Sequence, residues 1–121
     1  MTARVTSRRI WVTFQRVGFH AYPSAPTEPY DVTYLQSRHR HLFKFKVSIS
    51  VAHNEREIEF HQFLHWLESL YANGDLEADN ASCESLATGL IDAIAARYPN
   101  RDVCVEVSED GECGALVSAR T

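Results

Sequence analysis

His39 and His41 stand two residues apart at the start of the stretch "HRHLFKFKVSISV". Counting by twos from His39 gives His41, Phe43, Phe45, Val47, Ile49 and Val51, whereas the other parity gives Arg40, Leu42, Lys44, Lys46, Ser48 and Ser50. In a strand of unbroken register both imidazoles fall on the buried face, at the mouth of an apolar core. A third histidine, His20, shares the parity of Ile10, Val12 and Phe14 in the segment that precedes it. Three neutral imidazoles from two neighbouring strands would make a His₃ site with an open fourth position, the arrangement of catalytic zinc, where a structural zinc is closed by a fourth ligand. The competing account is a strand start with partly buried, hydrogen-bonded histidines, and the pattern alone leaves both open.

Two carboxylates deserve the same treatment. Glu109 continues the parity of Val103, Val105 and Val107, which puts an acid at the end of an apolar strand face. A buried carboxylate needs a partner, and a ligand offering paired N–H groups would supply one. Alternatively the strand stops short and Glu109-Asp110 is a solvated turn. Glu84 lies near the start of a helix, where a negative charge is favourable in any case. The pair His61 and His65, one helical turn apart in "HQFLH", resembles the zincin HExxH, but Gln62 replaces the glutamate and cannot act as a general base. Two solvent-facing histidines beside the apolar stripe of a helix account for it better.

The elements that must position these groups follow from the periodicity. Arg9 to Phe19 alternates as a first strand, and Leu42 to Val51 is the second and clearest. From Glu57 the spacing becomes helical through Phe60, Phe63, Leu64, Leu67, Leu70 and Tyr71, with a stop at Asn73-Gly74. A second helix follows the cap candidates Asn80 and Ser82, carries Leu86, Leu90, Ile91, Ile94 and Tyr98, and stops at Pro99. Val103 to Val107 then alternates, and Ala115 to Val117 pairs back across a turn at Asp110-Gly111. The order is ββααββ, an α+β two-layer fold of a four-stranded antiparallel sheet with two helices on one face. Such a sheet leaves two exposed edges, so a homo-oligomer is expected. The irregular stretch from Tyr22 to Gln36 holds Pro23, Pro26 and Pro29, and loops of that length in small domains tend to be functional or mobile.

With 121 residues the chain forms one domain, 1–121, with a single core. A net charge of −4 argues against broad contact with nucleic acid or an anionic membrane, because either needs a basic face. Cys83, Cys104 and Cys113 cannot all pair and show no CxxC spacing, which points to a reducing interior, a cytoplasmic location and no thiolate metal site. No apolar stretch approaches the roughly 18 residues of a membrane span.

The residues "GFHAYP", "HRH", "REIEFHQFL", "NASCESLA" and "VEVSED" occur in an order that resembles the 6-pyruvoyl-tetrahydropterin synthase and 6-carboxytetrahydropterin synthase family, and the likeness runs from about Trp11 to Val117. The resemblance implies a tunnelling fold, in which subunits join their sheets into a barrel, typically as a hexamer of stacked trimers. It implies that His20, His39 and His41 hold zinc, that Glu109 anchors a pterin ring through its N–H groups, and that Glu84 lies near the same pocket at a subunit boundary. It further implies a lyase or synthase acting on 7,8-dihydroneopterin triphosphate, with zinc polarising side-chain oxygens while a cysteine and an aspartate-histidine pair handle protons.

The chain departs from the family pattern where protons are handled. Leu35 stands at the place of the cysteine, Arg40 replaces the glycine of HGH, and Glu68-Ser69 stands at the aspartate-histidine pair. His65, one turn before Ser69, is a candidate for a displaced imidazole, and Cys83 for a thiol near the pocket, although a buried structural thiol is the simpler reading. Glu28 is too far from the histidines to replace the cysteine without a rearranged loop. Two expectations result: a zinc-dependent lyase or synthase of this family acting on a pterin, or a pterin- or purine-binding protein of the same fold with lost or altered zinc chemistry.

Overall fold

The computed structural model describes residues 1–121. Its regular elements are β1 (Arg9–His20), a single 3-10 turn (Thr33–Leu35), β2 (His39–Ser50), α1 (Phe60–Ser69), β3 (Leu76–Glu77), α2 (Cys83–Arg97), β4 (Asp102–Glu109) and β5 (Cys113–Arg120). They form one sheet in the order β3-β1-β2-β4-β5 with two helices, an α+β architecture. The expectation of four antiparallel strands is corrected here. A fifth strand, β3, lies parallel to the end of β1, pairing Gly18 with Leu76 and Phe19 with Glu77, so the sheet is mixed. Two residues carry no periodicity, and what holds them is backbone pairing: the Ala78 amide donates to Phe19 O (2.9 Å) and the Ala21 amide to Asp79 O (2.8 Å).

Alternation along β1 and β2 is the physical basis of the core. The two strands pair without a bulge from Arg9↔Ser50 to His20↔His39. One parity is therefore inward along the whole ladder, and it buries Val12, Phe14, Phe43, Phe45, Val47 and Ile49. β4 adds Val103, Val105 and Val107 to the same face. Against it pack Phe63 and Leu67 of α1, and Ala87, Leu90, Ile91 and Ile94 of α2. The helices begin where side chains satisfy free backbone amides. Glu59 accepts from the Gln62 amide (2.8 Å) and Ser82 from the Ser85 amide (3.1 Å). The first helix starts later than its apolar spacing suggests because Glu57 is engaged elsewhere, accepting from the Ala52 amide (2.8 Å) and from Arg101 (2.6 Å).

The opposite face of the sheet has no helix. It presents Trp11 and Leu116, both more than half exposed, beside Lys44, Lys46 and Glu106. Lys46 Nζ lies 4.9 Å from the centre of the Trp11 ring. In the single chain the sheet is open, ending at β3 on one side and β5 on the other. No helix is long and apolar enough to cross a membrane.

Gly18 marks a close approach at the end of the sheet that carries His20, His39 and His41. A Cβ there would stand 2.7 and 2.8 Å from the Phe43 ring and 2.9 Å from Leu76 O, so only glycine lets β3 and the Phe43 ring meet β1. Gly18→Ala should lower unfolding stability by about 1–3 kcal/mol in a urea titration, the usual cost of overpacking. An unchanged midpoint would show that this approach is not needed.

Candidate metal centre

His20 and His39 face each other across the last pair of the β1–β2 ladder, and His41 follows two residues on, opposite Gly18. The inward parity that builds the core thus ends in three imidazoles. Their ring centres are 4.6 Å (His20–His39), 5.1 Å (His20–His41) and 4.9 Å (His39–His41) apart, with the planes steeply inclined to one another. Phe43, fully buried, supports both His20 and His41 edge-on at 5.2 and 5.7 Å. One nitrogen from each ring lies within 4.8 Å of the others, so the cluster can hold a metal ion.

Hydrogen bonding decides which nitrogens these are. His20 Nδ1 is 2.8 Å from Ala81 O, His39 Nδ1 is 2.8 Å from Ser37 O, and His41 Nδ1 is 2.7 Å from Asp110 Oδ2. Carbonyls and ionised carboxylates only accept, so each Nδ1 carries the proton, and in the neutral ring each Nε2 is left with its lone pair. That is the tautomer a metal requires, fixed by outer partners of the kind that orient metal-bound histidines. His41 Nε2 is buried and has no hydrogen-bond partner. A buried unsatisfied acceptor costs about 1–3 kcal/mol, and a cation at the convergence point removes that cost.

Two of the three acceptors, Ala81 and Asp110, are placed by backbone geometry. Ala81 is placed by the turn after β3, where its amide donates to Ala78 O (2.8 Å) and Asp79 adopts a left-handed φ of 52°. Asp110 also has positive φ, 59°. Its amide donates to Leu42 O (2.8 Å) while its Oδ1 accepts from the Leu42 amide (2.8 Å), so the side chain extends the β2–β4 ladder by one rung and leaves Oδ2 for His41. These contacts, the Leu42 amide first and His41 second, hold the Asp110 carboxyl below the usual carboxylate range.

The open side of the cluster faces a pocket of about 790 Å³, walled by the loop at Tyr22–Ser24, by Leu35, by the start of α2 and by Glu109, Cys113 and Gly114. Glu109 belongs to β4, where it pairs with Phe43 and Cys113, and does not fall in the turn. Its Oε1 is 3.3 Å from His20 Nε2 and its Oε2 is 3.4 Å from His41 Nε2. Glu84 lies on the pocket rim in the first turn of α2. Cys83 is buried on the same wall, with Sγ 4.0 Å from Glu109 Oε1, and burial together with that carboxylate pushes its thiol up to about 12. The loop from Tyr22 to Gln36 is tied down: the Tyr22 amide donates to Leu35 O (2.8 Å) and Gln36 Nε2 to Ala25 O (3.1 Å).

Other candidates stand apart. His61 and His65 are exposed on α1, as their spacing implies. Glu68 is held by Arg16, whose guanidinium lies 3.6 Å from the carboxylate and 3.4 Å from the Glu68 carbonyl, and Ser69 is exposed; neither lines the pocket. The sequence reading missed Asp110, assigned there to the turn. An aspartate just beyond the strand that runs beside the HxH strand is the signal that could have found it. Neither protein-family models nor curated proteins show a match to this chain.

Two outcomes follow from this geometry. Asparagine offers one acceptor where Asp110 uses two, so Asp110→Asn should weaken binding of an added divalent metal ion about 10–100-fold in chelator competition, leaving the metal-free unfolding midpoint nearly in place. Alkylation at pH 8 should label the exposed Cys113 and spare Cys83, as read by peptide mass; rapid labelling of Cys83 would contradict its enclosure.

Proposed function

We propose that the chain is a zinc-dependent lyase or synthase resembling the 6-pyruvoyl-tetrahydropterin and 6-carboxytetrahydropterin synthases, acting on 7,8-dihydroneopterin triphosphate or a related pterin. The observation that carries this reading is the convergence of three proton-free Nε2 atoms on one point at the mouth of a pocket large enough for a bicyclic heterocycle. Zinc, held by His20, His39 and His41, would supply Lewis acidity toward substrate oxygens and ease loss of a neighbouring proton. The chain's own groups do the rest. Glu109 and Glu84 present carboxylates that can accept the paired N–H groups of a pterin ring. Phe43 fixes the imidazole orientations from below, and the wall formed by Leu35, Tyr22 and Pro23 gives the ring an apolar flank.

The uncovered sheet face and the two free edges support assembly of several chains, with sheets joined edge to edge into the barrel of a tunnelling fold. A hexamer is the expected assembly. Glu84, exposed at the pocket rim, is then placed to meet a neighbouring subunit.

A second reading is favoured by one observation. Leu35 lines the pocket where a proton-transferring thiol would be expected, while the Cys83 thiol is pushed up to about 12 and is a poor proton acceptor near neutrality. On that reading the protein binds a pterin or purine, with lost or altered zinc chemistry. Incubation of zinc-loaded protein with 7,8-dihydroneopterin triphosphate separates the two. Release of inorganic triphosphate, abolished in His39→Ala, is the expected result for the enzyme. A stoichiometric pterin or purine recovered on denaturation, without turnover at high protein concentration, would favour the binding protein.

A further inference from the structure

We infer that Glu109 is the fourth ligand of the metal centre in the substrate-free protein, closing a His₃Glu sphere that substrate must open. The inference rests on the metal reading above and adds a protein group to it. Zinc with bonds of about 2.0–2.1 Å in tetrahedral geometry sets neighbouring donor atoms about 3.3–3.4 Å apart. Glu109 Oε1 stands 3.3 Å from His20 Nε2, and Oε2 stands 3.4 Å from His41 Nε2. The two separations run to different oxygens, and each equals one edge of such a tetrahedron, so either oxygen is within reach of the fourth position.

The electrostatics lead to the same conclusion. With every Nδ1–H committed to an oxygen acceptor, the two Nε2 lone pairs lie 3.3 and 3.4 Å from carboxylate oxygens that also carry only lone pairs, and neither pair is aligned as a hydrogen bond. Acceptor against acceptor at contact distance is repulsive, and it is relieved only by positive charge between them. The His20 side chain is 8% exposed and Glu109 25%, so water screens this contact poorly. Two protons, one on each ring, would also serve, but they would turn both imidazoles into cations side by side, His20 and His41 having ring centres 5.1 Å apart. One divalent cation bound through a single carboxylate oxygen accepts the lone pairs of both rings and neutralises the carboxylate at once.

Glu109 is also placed to move aside. It is the last residue of β4, its side chain borders the open pocket, and the Cys83 thiol lies beside it there. A substrate oxygen entering the fourth position would displace the carboxylate into the pocket, where it is free to accept substrate N–H groups. The same residue would then close the resting centre and orient what opens it.

Zinc affinity by chelator competition and the visible spectrum of the cobalt(II)-loaded protein test this on the full chain. In Glu109→Gln and Glu109→Ala, zinc affinity should fall at least tenfold and the cobalt bands should change intensity and position. Added formate should restore the wild-type spectrum in Glu109→Ala, a rescue that a merely structural role would not produce. If Glu109→Ala fails to fold, Glu109→Gln, which keeps the shape, decides the matter. Stoichiometric zinc in the wild type with unchanged affinity and spectrum in the variants would overturn the inference and leave the His₃ centre standing. A wild type that binds no zinc would remove both.

Discussion

The site depends on three hydrogen bonds that take the Nδ1 proton of each imidazole. Without them the rings could rotate or exchange tautomers, and a buried cluster of histidines would be only a desolvated, self-repelling group. With them every Nε2 lone pair is forced toward one point. The three acceptors come from separate parts of the chain: the turn after β3, the residue two before β2, and the left-handed residue after β4. Convergence is therefore a property of the whole end of the sheet, and loosening any one of these segments misdirects one ligand.

Apolar burial and polar chemistry meet at Phe43. Below it the inward face is aliphatic and aromatic without interruption; above it the same parity carries His41, His39 and, across the ladder, His20. Placing polar rings at the end of a close-packed face removes water from them, which strengthens any charge interaction they make and raises the cost of leaving them unpaired. His41 Nε2 is the atom where that cost is visible. A core that folds well up to Phe43 and leaves an unsatisfied acceptor just past it is preorganised for a cation.

The pocket's remaining chemistry is unusual in what it withholds. Cys83 is enclosed against a carboxylate and kept protonated, Leu35 gives an apolar wall, and the Glu68 carboxylate on α1 is held by Arg16 of β1. The open side of the cluster is bordered by the Glu109 and Glu84 carboxylates together with the enclosed Cys83 thiol and the exposed Cys113. With Leu35 on the pocket wall and Glu68 and Ser69 outside it, Glu109 is the carboxylate in contact with the imidazoles.

Period-two alternation by itself determined the β1, β2 and β4 faces, the shared side of His20, His39 and His41, and the placement of Glu109 at the end of an apolar run. These are local properties, because side chains in a strand point by parity wherever the strand is. Helix spacing likewise determined the two helices and the solvent-facing His61 and His65. Tertiary structure decided the rest. An unbroken ladder was needed to set His20 opposite His39, since one bulge would have turned it outward. The two-residue β3 is held by backbone pairing that leaves no trace in side-chain pattern, yet it delivers the Ala81 carbonyl to His20. Asp110 reads as a turn residue in sequence, and only its left-handed backbone beside Leu42 makes it the partner of His41. Parity reveals which residues share a face; which lone pairs meet is fixed by contacts between segments far apart in the chain.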